Sequence, residues 1–280
     1  AQINSHIGNF EGNLSKILSY IETARSEASD LIIFPELTTC GYPPRDFLEF
    51  NDFIQRCDWV VEQIRIASQG IAVLVGSPTI NPIKEGKDLH NTAFLIHNQQ
   101  ILFQYHKALL PTYDIFDEYR YFEPSDFFGI CEFKGYRIAI TICEDLWNLG
   151  NKNPLYTVCP LDIMITQSPD LIFNISASPF AYDHAAERIE VVRANAIKYK
   201  KPLFYCNAVG AQTDVVFDGG SLVFNADGSL YDELPYFKEL LRTYEVEKTE
   251  SPNDRKSGSI EVRKSESQEV QKPTFLPTSG

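Results

Sequence analysis

Three residues of this chain have the type and the setting for nucleophilic chemistry: Cys143, Glu36 and Lys107. Each follows an apolar run with strand character. Ile138-Ala139-Ile140-Thr141-Ile142 leads into Cys143, Leu31-Ile32-Ile33-Phe34 and one proline precede Glu36, and Ile101–His106 delivers Lys107. The ends of neighbouring strands converge on one edge of a sheet, where α/β proteins place their ligands. A thiol alone is a poor nucleophile near neutral pH; a nearby cation lowers its pKa and a carboxylate can take its proton. The same cation can meet the charge that develops on a carbonyl oxygen under attack. A cysteine, a lysine and a glutamate in contact would therefore form an acyl-transfer site. Singly, each has a plainer explanation. A strand-end cysteine is commonly a small buried hydrophobe, which suits Cys57, Cys131 and Cys206. A lone Glu is a cap or surface ion pair, and a lone Lys a solvated loop residue.

The elements that must position them follow from the hydrophobic pattern. Helical spacing runs over Asn13–Ala28, Phe47–Ser68 and Asp183–Lys200, with a shorter helix over Leu155–Thr166 and Asn13 as an N-cap. Strands are expected at Leu31–Phe34, Ile71–Val75 (ended by Gly76), Leu171–Ile175 and Pro202–Asn207, and Ala1–Asn4 reads as the end of a strand clipped before Ala1. Hairpins pair Thr92–His97 with Ile101–His106, Gly129–Phe133 with the strand that leads to Cys143, and Ser221–Asn225 with Ser229–Leu234. Helices and hairpins together, rather than strict β-α-β alternation, predict a layered α/β protein of mixed pairing with several strands buried on both faces.

Composition excludes several classes. The chain has 280 residues, 44% of them hydrophobic, enough for one large core. A formal net charge of −13 repels phosphate backbones, so no nucleic-acid role is expected. No apolar run reaches membrane-spanning length and no secretory signal opens the chain. The six cysteines include no Cys-x-x-Cys pair, which predicts a reduced, cytoplasmic protein. The five histidines are scattered without ligand spacing, so no metal site is expected.

Four blocks in order carry a resemblance: FPELTTCGYPPRDF (34–47), KALLPTYDIFDEYRYF (107–122), ITICEDLW (140–147) and NISASPF (174–180). Over residues 1–246 the chain resembles the nitrilase-type carbon-nitrogen hydrolase superfamily, and more narrowly the glutaminase domain of glutamine-dependent NAD+ synthetases. The resemblance implies a four-layer α-β-β-α sandwich, with Cys143 as nucleophile, Glu36 as general base and then acid, and Lys107 as oxyanion stabiliser. It implies that glutamine is hydrolysed through a glutamyl thioester. Tyr42, Tyr113, Phe116, Glu144, Trp147 and Ser178 match positions that line or adjoin the glutamine pocket in similar enzymes. Core packing is the alternative for Tyr113, Phe116 and Trp147. Glu118 is either a further acidic residue beside the triad or an ion-pair partner of Arg120 or Arg188.

One position departs from the family pattern. Six residues beyond Ser178, where the family carries a lysine or arginine suited to the substrate α-carboxylate, this chain has His184. Imidazole is only partly protonated near neutral pH. Either carboxylate recognition is weaker, or a neighbour such as Arg188 shares it. Neither the Ser-Gly-Gly-x-Asp-Ser phosphate loop nor a Gly-x-x-x-x-Gly-Lys-Ser/Thr loop is present. The resemblance therefore implies no cofactor in this chain. ATP and Mg would belong to an absent synthetase domain, expected C-terminal or in trans, and similar proteins form homo-oligomers. Residues 247–280 read as a polar linker or tail leading toward such a domain, too poor in apolar residues to order alone. Two competing functions remain: a free-standing amidase or carbamoylase of the nitrilase type, and a non-catalytic scaffold of the same fold.

Overall fold

Two sheets carry the three strand ends. In the computed structural model, which describes residues 1–151, 153–249 and 259–264, the first sheet has the order β1-β2-β3-β4. Its strands are β1 (Leu31–Ile33), β2 (Ala72–Ile80), β3 (Leu89–His97) and β4 (Gln100–His106). β1 is parallel to β2, while β3 is antiparallel to both β2 and β4, so β1, β2 and β4 all run the same way. Glu36 and Lys107 thus leave the sheet at one edge. The second sheet has the order β12-β11-β8-β7-β6-β5. It comprises β5 (Cys131–Phe133), β6 (Tyr136–Ile142), β7 (Leu171–Ser176), β8 (Leu203–Asn207), β11 (Leu222–Phe224) and β12 (Leu230–Glu233). Its centre, β6-β7-β8, is parallel. A separate hairpin joins β9 (Val209–Gln212) to β10 (Val215–Asp218).

Alternation along the strands sets the layers. Val73, Val75, Phe94 and Ile96 turn to one face of the first sheet and pack with Ile17, Ile21, Val60 and Ile64 of α1 (Phe10–Ser26) and α2 (Asn51–Ala67). Their neighbours Ala72, Leu74, Ala93 and Leu95 turn the other way and pack with Ile138, Ile140, Leu171 and Phe173 of the second sheet. α3 (Pro160–Met164) and α4 (His184–Tyr199) cover that sheet, with Leu161, Met164, Val192 and Ala196 buried against it. The stack is helices, sheet, sheet, helices: the four-layer α-β-β-α sandwich expected.

Several elements differ from expectation for visible reasons. β2 does not stop at Gly76 but continues in register with β3 to Ile80. The glycine is required there because a Cβ would lie 2.4 Å from Leu37 N, so the turn carrying Glu36 rests directly on the strand. The N-cap of α1 is Asn9, whose side chain accepts from Gly12 N. Asn13 lies inside the helix and instead bonds both the N–H and the carbonyl of His6. The helix expected over Leu155–Thr166 shrinks to α3, opened by Pro160 at its first position and followed by a short 3₁₀ turn. Ala1–Asn4 makes a single bridge, Gln2 to Leu240, rather than a strand.

The boundary at 246 falls inside a strand. β13 (Tyr244–Thr249) pairs with β14 (Ser259–Lys264), matching Val246 to Val262 and Lys248 to Ile260. Tyr244, Val246, Ile260 and Val262 share one face and pack on the inter-sheet core, and Tyr136 OH donates to Val246 O at 2.6 Å. A few alternating apolar residues suffice because the surface that receives them already exists. The rest of the expected tail, 250–258 and 265–280, lies outside the described residues. Among the described residues no helix is long and apolar enough to cross a membrane.

Candidate active site

β6 ends in a sharp turn. Cys143 has φ +43°, left-handed backbone that is unfavourable for a residue with a Cβ. It opens the 3₁₀ turn Cys143–Leu146, and only 5% of it is exposed. Asp145, two residues on, folds back: its Oδ2 accepts from Ile142 N at 3.0 Å. Its Oδ1 accepts from Ala108 N at 3.1 Å and Leu109 N at 2.9 Å, the residues just after Lys107. The cysteine turn and the lysine loop are therefore joined.

Lys107 is fully buried, and its Nζ lies 2.8 Å from Glu36 Oε1 and 2.7 Å from Glu118 Oε1. Buried charges are tolerated only when paired and hydrogen-bonded. Here Asn91 Nδ2 also donates to Glu36 Oε1 at 2.7 Å, Ala177 N donates to Glu36 Oε2 at 3.1 Å, and Tyr42 OH donates to Glu118 Oε1 at 2.6 Å. Burial alone would lower the Lys107 ammonium, but the Glu118 and Glu36 carboxylates outweigh it and hold it well above its usual range. Burial lifts Glu118 to about 7 against the pull of Lys107. Burial, then the Glu36 carboxylate, raises the Cys143 thiol well above its usual range despite Lys107. Its surroundings therefore favour the neutral thiol over the thiolate.

The residues expected on the substrate side form a second group. Glu144 accepts from Tyr113 OH at 2.9 Å and from Tyr156 OH at 2.8 Å; burial raises its pKa and the two phenols counter that. Tyr113 is exposed, while Phe116 is half-buried and packs against the core; the two rings meet edge-to-face at 5.4 Å. Trp147 is half-buried and meets the His184 ring edge-to-face at 5.2 Å. Ser178 is buried, and Asn207 Oδ1 accepts from its N–H at 2.8 Å. Burial, and then Arg188, holds the His184 imidazole below its usual pKa. The buried Arg188 guanidinium makes a bidentate pair with Asp218 at 3.0 and 2.9 Å.

The structure thus brings Glu36, Lys107 and Glu118 into direct contact, with the Cys143 sulfur inside their electrostatic field. Of the open alternatives for Glu118 it selects the triad; Arg120 pairs with Asp46 and Glu49 instead. Asn91, Asp145 and Tyr156 were missed. Asn91 carried a signal, a polar His-Asn-Thr stretch inside an apolar strand; Tyr156, in an irregular loop, carried none. No group of His, Cys, Asp and Glu able to hold a metal occurs among the described residues.

A family model described as carbon-nitrogen hydrolase matches residues 1–251. The chain belongs to the carbon-nitrogen hydrolase family. It is 38% identical over 250 residues to a glutamine-dependent NAD(+) synthetase of Synechocystis, an alignment covering 85% of this chain and 44% of that protein. A protein of the same name from Thermotoga maritima is 33% identical over 253 residues, 90% of this chain and 42% of its own length. Among solved structures, a glutamine-dependent NAD+ synthetase from Acinetobacter baumannii superposes with a TM-score of 0.77 at 29% identity, over 85% of this chain and 43% of that one. An amidase from Nesterenkonia shares the fold, with a TM-score of 0.71 at 21% identity over 84% of each chain. The chain spans less than half the length of the synthetases it matches.

Proposed function

We propose that this chain is the glutamine-hydrolysing part of a glutamine-dependent NAD+ synthetase. The observation that carries the proposal is the Glu36–Lys107–Glu118 cluster around Cys143, together with the carboxylate of Glu144 beside it. A free amino acid brings an ammonium that needs such an acceptor. The relatives that cover this chain bear the synthetase name.

In the proposed cycle, Glu36 takes the Cys143 proton as the sulfur attacks the side-chain amide carbon. The carbonyl electron pair moves onto oxygen, where the Lys107 ammonium meets it. On collapse the C–N bond breaks, Glu36 returns the proton to the leaving nitrogen, and ammonia departs from a thioester. Glu36 then takes a proton from water as its oxygen attacks the thioester; the C–S bond breaks and the thiolate recovers that proton. Ammonia would pass to a synthetase domain that amidates deamido-NAD+ with ATP and Mg, and no cofactor is needed in the part proposed here. The six cysteines, all free and buried, suit a reducing cytoplasm.

The experiment is ammonia release by the purified chain from glutamine and from a panel of ω-amides, N-carbamoyl compounds and nitriles. Turnover of glutamine above the panel is expected. Turnover of another amide with none of glutamine would replace the proposal with a free-standing amidase. A glutamine-like diazo-oxo electrophile should label Cys143 and leave the other five cysteines unmodified. An unlabelled Cys143 would favour the non-catalytic scaffold.

A further inference from the structure

Lys107 and Cys143 stand at the ends of strands in different sheets, and no ladder hydrogen bonds join those sheets. Their separation must be set by something other than strand pairing. Glu36 links the end of β1 to the chain after β7 through Ala177 N. Asp145 does the equivalent for β4 and β6. Its two carboxylate oxygens collect the N–H groups of Ile142, immediately before Cys143, and of Ala108 and Leu109, immediately after Lys107. Asp145 is 1% exposed, so this carboxylate was taken from water to make these bonds. Capping the 3₁₀ turn at Cys143 needs only the Ile142 contact; the other two reach across to the lysine loop.

We infer that Asp145 is a positioning residue that fixes the Cys143 turn against the Lys107 loop and so sets the distance between nucleophile and cation. The inference rests on the proposed hydrolysis only for its choice of substrate. Asp145→Asn keeps the size of the side chain but replaces one acceptor oxygen with an NH2 group, which faces N–H donors instead of accepting from them. Displacement of reacting groups by about 1 Å costs on the order of 10²-fold in rate.

The test compares Asp145→Asn with the unaltered full chain. For glutamine, kcat should fall on the order of 10²-fold, with KM changed less than about threefold. Alkylation of Cys143 by iodoacetamide should slow, and its pH profile should move upward, because the cation that favours the thiolate is no longer held in place. Unchanged kcat and an unchanged alkylation profile would overturn the inference; so would losses that only track the folded fraction seen by circular dichroism. Should the variant not fold, amide hydrogen exchange of the unaltered protein decides. The Ile142, Ala108 and Leu109 amides should be protected to a similar extent, and free-loop exchange at 108 and 109 would overturn the inference. If the unaltered chain releases no ammonia from glutamine, the proposed function fails, while the alkylation comparison still judges Asp145.

Discussion

The Cys143 end of the candidate site and its His184 end are held in opposite ways. At the Cys143 end, Lys107 and Glu36 are fully buried and bonded on several sides, and the turns that carry them are tied to the sheets by Gly76, Asn91, Ala177 and Asp145. At the His184 end, the imidazole is held below its usual pKa, the nearby arginine is committed to Asp218, and Trp147 stays partly open to solvent. The reaction proposed for the first end would need atoms at fixed separations. The recognition proposed for the second would need only to tell one ligand from another, and few kcal/mol separate adequate from poor recognition.

Substitutions can break or sharpen this contrast. Cys143→Ala should reduce glutamine hydrolysis by a factor on the order of 10⁴ or more while the fold persists, since the thiol contributes little packing. A large fall in melting temperature would instead make Cys143 a core residue and erase the contrast. Lys107→Met should cost on the order of 10²- to 10³-fold in kcat and about 3–5 kcal/mol of stability in urea unfolding, because it leaves Glu36 and Glu118 without their cation. Equal stability would show that the cluster is not held as tightly as its hydrogen bonds imply. At the loose end, His184→Arg should lower the KM for glutamine several-fold with little change in kcat. An unchanged or higher KM in a folded variant removes His184 from carboxylate recognition.

The smallest effect concerns pH. Burial raises the Glu118 carboxyl to about 7 in the folded chain, against an ordinary value of 4.5. Between those values the folded protein keeps a proton that the unfolded chain has released, so this group lowers stability as pH rises from 4.5 to about 7. Glu118→Gln should flatten that part of the curve of unfolding free energy against pH. Parallel curves for the two proteins would mean that Glu118 is ionised throughout.

The same contrast governs what could be read in the sequence. Glu36, Lys107 and Cys143 were legible because each terminates a periodic apolar run, and strand ends have a definite place in a sheet. A layered α/β protein was legible from the same periodicity, and its four layers only from the family resemblance. What escaped depends on contacts far apart in the chain. Gly76 reads as a strand terminator until the Leu37 main chain is seen lying on it. Asn91 acts on the Glu36 side chain and Asp145 on backbone groups of distant segments, contacts that spacing does not encode. Tyr156 reaches Glu144 from an irregular loop. Residues 247–249 and 259–264 looked too polar to order because composition counts apolar residues without counting the surface waiting for them.

The Arg188–Asp218 pair has a consequence for what a change at position 184 can do. It sits one helical turn beyond His184 and fastens α4 to the end of β10. The helix keeps its seat whatever side chain stands at 184. A substitution at 184 therefore changes the group presented there without unseating the helix that presents it.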